Sequence, residues 1–399
     1  MFKASHEQCE TSYTVCYMLP PPGCPKSPQF RARSAFCATL EGVEAPEGAF
    51  FGQAPPTITA NIIKFCYLCK KYLKTMGTIT TGFAGLELKS PVIVGSSSKT
   101  ASVSNLVEYE KAGAGAVALK SLFEESITME IAANDTDIHP EAYDYLAGYI
   151  SEEVLSNYLT LIREAKKALS IPVIASIACH TDGKWEEFAR RIEEAGADAI
   201  ELNIMSLCTV RNYTPGSFEK MNVDIVANVS GKVGIPVIAK IGSNLTNPVD
   251  LCDRLRAAGA KAVVLFNRFY PTDIDIDRME FSTGNPFTTS ADLSLPLRWA
   301  GIVSSAVPGL PLAVSGGVDS WKGVAKSILS GASAVEVASA IIREGASWIT
   351  EANKGLESWQ ESKGFAAISD YKGKLNAADP DNAERLARTQ FIKNFSQVH

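Results

Sequence analysis

The sequence predicts an α/β fold of the (β/α)8 TIM-barrel type, and two repeated themes predict it. In the first, a helix pattern ends in Ala/Ser-Gly-Ala and runs into an apolar strand: AGAGAVALKS at 112–121, AGADAIELNI at 195–204, AGAKAVVLFN at 258–267 and SGASAVEVAS at 330–339. In the second, a helix pattern is followed by Ile/Leu-Pro and a strand: IPVIASIA at 171–178, IPVIAKIG at 235–242 and LPLAVSGG at 310–317. The glycine supplies the left-handed residue that ends a helix. The proline suits the first residue of a strand. With the strand that Pro91 opens, eight buried strands are expected, at 92–95, 116–120, 173–177, 199–204, 237–241, 262–266, 312–315 and 334–338. Helical patterns such as Trp185–Glu194 and Asp250–Ala258 separate them. Eight strand–helix units at this spacing fit a closed barrel; a doubly wound open sheet usually has fewer strands.

Ahead of the barrel, TITTGFAGLELK at 78–89 alternates around a small turn and reads as a β-hairpin. Residues 1–75 are of another character. They carry Pro20-Pro21-Pro22, Pro25 and Pro28, six of the nine cysteines, and no periodicity. Three readings apply to this stretch. ITANIIKFCYLCKKYLK at 58–74, apolar and then basic, fits a membrane-surface anchor. Cys66-x-x-Cys69 fits a metal or redox pair, although the second pair that zinc spacing needs is missing. The reading adopted is an extension outside the fold, disordered or lying upstream of a natural start at Met76, with residues 76–399 as the barrel unit. Two long connections, 121–150 and 267–298, exceed ordinary loop lengths and read as lids or active-site loops.

Composition narrows the class. The net charge is −6, and the first 75 residues carry 8 Lys/Arg against 5 Glu, so the barrel itself is acidic. An acidic body argues against nucleic acid as a partner. No run reaches the roughly 18–20 apolar residues of a membrane span. Cys179, Cys208 and Cys252 are scattered and odd in number, as in a reduced cytoplasmic enzyme. Gly-x-Gly-x-x-Gly at a strand–helix junction is absent, and neither His139 nor His180 has carboxylates at metal-ligand spacing. Neither a Rossmann site nor a metal is expected.

Chemistry in such barrels sits at the C-terminal ends of the strands. There the sequence puts Gly95-Ser96, Lys120-Ser121, Ala178-Cys179, Asn203 with Ser206, Lys240, Asn267-Arg268, Gly316-Gly317 and Ala338-Ser339. The last two pairs follow strands seven and eight, where small-residue turns bring backbone N–H groups to a phosphate. Lys120 and Lys240 end apolar strands, and burying an unpaired ammonium is costly. Each reads as a structural ion pair, a Schiff-base amine or a fixed cation facing an electron-rich cofactor. Asn203 can satisfy itself in the core or bond a planar ligand in both directions.

These residues resemble the dihydroorotate dehydrogenase family of FMN-containing barrels. The likeness runs from Thr78 to about Leu375, through the hairpin, Gly95-Ser96, AVALKS, ELN, AKI, FN, SGGV, EVASAIIREG and the closing GFAAISDYKGKL. It implies FMN as the cofactor and oxidation of dihydroorotate in pyrimidine synthesis. In enzymes of that family a base takes the proton from C5 while the hydride of C6 passes to the flavin, and the resemblance implies the same here. It implies that Gly316, Gly317, Ala338 and Ser339 hold the FMN phosphate, and that Gly95, Ser96, Lys120, Ser121 and Phe266 line the flavin. Lys240 would sit at the flavin's pyrimidine edge. Asn203 and Asn267 would contact flavin and substrate, Lys120 would serve both chemistry and substrate binding, and Arg268 would lie on the substrate side.

The base position, three residues after the asparagine, holds Ser206, with Cys208 close by as the alternative. A thiol, with a reference pKa of about 8.5, is better matched to proton abstraction than an unassisted hydroxyl. Leu207-Cys208 replace the polar pair usual after the base, and the asparagine-rich loop after strand two is not recognisable in 122–150. The flavin half is therefore kept while the substrate half is altered. Two alternatives stand beside dihydroorotate oxidation: the same flavin barrel acting on another dihydropyrimidine or conjugated alkene, and a flavin-free Schiff-base lyase or aldolase. No membrane association is expected. A homodimer, or a partner subunit that accepts the electrons, is compatible with the sequence.

Overall fold

The computed structural model describes residues 78–123, 140–179, 185–207, 209 and 211–389. The expectations for residues 1–75, including Met76 as the start, and those for His139, His180 and Cys208, lie outside these residues.

The chain opens with the expected hairpin, β1 (Thr81–Phe83) paired antiparallel with β2 (Leu86–Leu88). Ala84 and Gly85 both take positive φ, 54° and 81°, as a two-residue hairpin turn requires. The alternation then begins: β3 (Val92–Val94), α1 (Val103–Ala112), β4 (Ala116–Ala118), the short β5 (Leu122–Phe123), α2 (Pro140–Ala168) and β6 (Val173–Cys179). It continues with α3 (Trp185–Glu194), β7 (Ala199–Ile204), α4 (Ser217–Ser230), β8 (Val237–Gly242), α5 (Pro248–Ala257) and β9 (Ala262–Asn267). A second hairpin follows, β10 (Thr272–Asp275) with β11 (Glu280–Thr283). The last part is α6 (Ser294–Ala306), β12 (Leu312–Ser315), α7 (Trp321–Leu329), β13 (Ala334–Val337), α8 (Ser339–Glu344), α9 (Ser347–Ser362) and α10 (Pro380–Ala387).

The large sheet is parallel and runs β4-β3-β13-β12-β9-β8-β7-β6-β5, and a further β4–β6 pairing closes it. Eight strands therefore form the barrel, and each coincides with an expected one. Two sequence expectations change. Residues 140–150 are not loop but the first turns of the 29-residue α2; Pro140 opens that helix where its missing N–H costs nothing. Residues 267–298 are not structureless either, because they contain β10 and β11. That hairpin leaves Ile276, Met279 and Phe281 more than four-fifths exposed.

Strand periodicity sorts the side chains into two sets. Val92, Val94, Val173, Ile177, Ile200, Leu202, Val263, Leu265, Leu312 and Val314 face outward and pack under the helices. Ile93, Ala116, Ile174, Ala199, Ile238, Val264, Ala313 and Ala334 face inward and form a second cluster with Phe83, Ala84 and Leu88 of the hairpin. The hairpin thus stops the N-terminal end of the barrel with apolar bulk. Among the described residues, no helix is long and apolar enough to cross a membrane.

Gly115, just before β4, is held against the chain that leaves the hairpin. A Cβ there would lie 2.0 Å from the carbonyl oxygen of Ser90 and 3.2 Å from the Leu88 side chain. Gly115→Ala should therefore destabilise the protein by about 1–3 kcal/mol or more, as read by chemical denaturation. An unchanged midpoint would contradict this packing.

Candidate active site

The inward set changes character one step further along the strands. Two residues beyond Ile174, Ala199, Ile238 and Ala334 stand Ser176, Glu201, Lys240 and Glu336. Since side chains two apart share a face, these four point into the barrel above its apolar floor. All four are buried, Lys240 at 7% exposure and Glu201 at 2%.

They form one charged layer. The Lys240 ammonium is bonded to Glu336 Oε1 and lies 3.8 Å from Glu201 Oε1. Ser176 Oγ donates to Glu201 Oε1 at 3.0 Å. Gly95, at the end of β3, makes room for the second carboxyl: a Cβ there would sit 3.0 Å from Glu336 Oε1. Burial alone would push the Lys240 amine toward neutrality, but Glu201 and Glu336 outweigh it and hold the lysine charged. A Schiff-base role needs a neutral amine, and Lys240 is built against it. Burial first, and then the charge of Glu336, raise the Glu201 carboxyl to about 8. At neutral pH the layer is then one ammonium, one carboxylate and one carboxylic acid, which is electrically neutral.

The mouth lies above this layer. Asn203, one inward step beyond Glu201, is in register with Lys240 on β8. Asn267 Nδ2, from the end of β9, donates to Asn203 Oδ1 at 2.6 Å, and the Asn267 amide oxygen accepts from the backbone N–H of Arg268. On the other side, Ser96 Oγ and Ser121 Oγ are 3.0 Å apart, and the Ser121 N–H donates to Ser96 Oγ at 2.8 Å. Ser121 Oγ is in turn 2.8 Å from Ser176 Oγ. Gly95, Ser96, Ser121, Asn203, Lys240 and Asn267 therefore belong to one connected region.

Gly316 and Gly317 follow β12 beside Ala338 and Ser339, because Ser315 is in register with Glu336. Both glycines have positive φ, 91° and 75°. A Cβ on Gly317 would strike the Leu293 backbone nitrogen at 2.3 Å, whereas at Gly316 nothing lies within 4 Å. Gly316 therefore opens onto free space. Ser339 Oγ accepts from the Thr288 N–H at 3.0 Å, which ties the loop after β11 to this corner. Phe266 is buried at the end of β9.

Ser206 is half-buried, and its carbonyl accepts from Asn244 Nδ2 at 3.1 Å. Leu207 beside it is 63% exposed. Lys120 departs from expectation. It follows the end of β4 and is exposed, without an ion pair among the described residues. The strand ends at Ala118, so Leu119 and Lys120 already belong to the turn. Arg268 is exposed as well.

Sequence reasoning missed Glu201, Glu336, Ser176 and Tyr158. The first two carried the signal that singled out Lys240, a charge inside an apolar strand (AIELN and AVEV). Tyr158 offered none, since only the fold brings α2 under β6; its hydroxyl donates to the Ser176 carbonyl and accepts the Ser176 N–H.

Comparison with known proteins agrees with this geometry. A dihydroorotate dehydrogenase family model matches residues 147–359, just over half of the chain. This chain belongs to the dihydroorotate dehydrogenase family. An Aeropyrum pernix protein with the provisional name dihydroorotate dehydrogenase A (fumarate) is 30% identical over 267 residues, 60% of this chain and 80% of that protein. The catalytic subunit of dihydroorotate dehydrogenase B (NAD(+)) from Thermoplasma volcanium is 27% identical over 75% of this chain and 98% of its own. Its counterpart from Desulforudis audaxviator is 30% identical over 73% of this chain and 95% of its own. Within the dihydroorotate dehydrogenase match lie Glu201, Asn203, Ser206, Lys240, Asn267, Gly316, Gly317, Glu336 and Ser339; Gly95, Ser96, Lys120 and Ser121 precede it.

The raised Glu201 carboxyl has a thermodynamic consequence. Its folded-state value, about 8, lies above the ordinary 4.5, so the folded protein holds this proton more tightly than the unfolded chain does. The stability it contributes is complete below the ordinary carboxyl range and is lost as pH rises through about 8. The wild-type melting temperature should therefore fall relative to Glu201→Gln across that interval. Parallel curves for the two proteins would place the proton elsewhere.

Proposed function

We propose that this chain oxidises dihydroorotate to orotate with FMN as cofactor, a step of pyrimidine synthesis, and that residues 76–399 form the catalytic unit. The observation that supports this reading is the connected region of a buried charged lysine, two amides and a row of serines, with small-residue bends at the ends of the neighbouring strands β12 and β13, in a chain of the dihydroorotate dehydrogenase family. The residues fit FMN. Gly316 faces free space beside Ala338 and Ser339, a cradle that a side chain would fill. Lys240 and the two asparagines supply hydrogen-bond donors suited to an electron-rich planar ring, and Ser96 Oγ supplies an acceptor. When bound, FMN supplies the two-electron acceptor.

The chain's own residues carry the rest. Gly316, Gly317, Ala338 and Ser339 hold the phosphate through backbone N–H groups and the Ser339 hydroxyl. Gly95, Ser96, Ser121 and Phe266 line the ring, and Lys240 fixes positive charge at its edge. Asn203 and Asn267 orient the substrate, each holding the other's amide in place. Lys120, exposed at the mouth, is free to meet the carboxylate of an incoming substrate, with Arg268 beside it. Ser206 takes the C5 proton, with Cys208 as its alternative. The electrons pass to an acceptor, either a partner subunit, as the relatives named catalytic subunits imply, or a small molecule. The same reading makes the enzyme cytoplasmic and compatible with a homodimer.

Purified protein should be yellow, and anaerobic dihydroorotate should bleach it. A colourless protein, or flavin that stays oxidised with dihydroorotate and bleaches with another dihydropyrimidine, contradicts the assignment. Ser206→Ala should keep its flavin but lose roughly 100-fold or more in the rate of substrate-driven bleaching. Full activity there moves the base to Cys208. Lys240→Ala should lose flavin or reduce it more slowly; normal content with a normal rate removes Lys240 from the ring's edge.

A further inference from the structure

The hydroxyl groups between the mouth and the charged layer form a file whose direction can be deduced by counting protons. A serine hydroxyl has one proton to donate. Ser176 gives its proton to Glu201 Oε1, so it must accept from Ser121 Oγ at 2.8 Å. Ser121 has then spent its only hydroxyl proton and must accept from Ser96 Oγ at 3.0 Å. Every bond therefore points the same way, from half-buried Ser96 at the mouth, through Ser121 and Ser176, to Glu201. Ser176 is fully buried and Ser121 nearly so, which keeps bulk water from the carboxyl.

Besides Ser176, two groups face Glu201 directly among the described residues: the Lys240 ammonium and the Glu336 carboxyl, which shares a hydrogen bond with the Glu201 carboxyl. From α2, Tyr158 commits its proton to the Ser176 carbonyl. From β8 comes the Lys240 ammonium, and from β13 the Glu336 carboxyl, itself bonded to that ammonium. From β6 comes Ser176 alone. Glu201 is thus a proton-binding group sealed beneath the mouth, with a single row of hydroxyls leading to it.

We propose that Ser96, Ser121 and Ser176 are a proton-conducting chain between the barrel mouth and Glu201, and that Glu201 stores an exchangeable proton that sets the net charge of the layer around Lys240. A proton arriving at Ser96 Oγ releases that serine's own proton to Ser121, which releases its own to Ser176, which releases its own to Glu201. Each hydroxyl gains one proton and loses one, and the carboxylate gains one. With Glu201 protonated the layer is neutral; with it ionised the layer is anionic, and the field that Lys240 presents to an electron-rich ligand is weakened. Glu201 is a positioning residue, acting through Lys240.

Infrared spectroscopy of the protein as purified reads the stored proton directly. A carboxylic-acid C=O band should be present at neutral pH and absent in Glu201→Gln, whose amide keeps the hydrogen bonds. Transfer into D2O should shift that band quickly in the wild type. The shift should be roughly 100-fold slower in Ser121→Ala or Ser176→Ala and return to near the wild-type rate in Ser121→Thr, which restores the hydroxyl. The proposal is overturned if no band is lost in Glu201→Gln, or if both alanine variants exchange at the wild-type rate. A wild-type band that exchanges only as fast as the whole protein unfolds overturns it too, without any variant. None of these readouts involves dihydroorotate, so failure of substrate oxidation and failure of the proton chain are separate results.

Discussion

An ammonium group cannot be left alone inside an apolar barrel, and Lys240 is nine-tenths buried in one. Removing one partner of such a buried pair typically costs about 3–5 kcal/mol, so the carboxyls of Glu201 and Glu336 are a condition of the fold as much as of the site. Their positions follow from strand geometry. Period-two alternation puts Ser176, Glu201, Lys240 and Glu336 two residues beyond Ile174, Ala199, Ile238 and Ala334, so a polar layer rests on an apolar one. Gly95 completes it by leaving space for the Glu336 carboxyl. Two carboxyls facing one cation leave one proton over, and the desolvated Glu201 retains it.

That layer determines what the mouth can do. A fixed, charged lysine just below the strand ends favours a ligand that is electron-rich or becomes anionic, and disfavours covalent amine chemistry. Asn203 and Asn267 are locked to each other above it, while the glycine bend after β12 faces open space beside Ser339. The rigid part of the site is therefore the part that suits a cofactor. Lys120, Leu207 and Arg268, at neighbouring strand ends, are exposed.

The barrel was legible in the sequence because the helix-ending Gly-Ala and the strand-opening Pro repeat strand after strand, so every one of the eight strands could be located from the chain alone. Lys240 was legible for a related reason, as a charge interrupting VIAKI. The same logic applied to Glu201 and Glu336, but taken singly a glutamate in a strand reads as edge solvation; only closure of the sheet shows that all three converge. Lys120 is exposed rather than buried at a strand end, since its strand stops two residues earlier. The hairpin β10–β11 was hidden because TDID and EFST are short and leave their apolar residues exposed, so no buried face marks them. Tyr158 depends on where a long helix packs, which local pattern does not encode.

The central claim is that the strand ends above the Lys240 layer and beside Gly316–Gly317 receive a flavin mononucleotide. The most direct test is a crystal structure of the purified protein with its own flavin and orotate. The account predicts the ring within hydrogen-bond reach of Lys240 and the phosphate against Gly316, Gly317, Ala338 and Ser339. A flavin bound elsewhere, or one that leaves Lys240 facing only its two carboxyls, would contradict it.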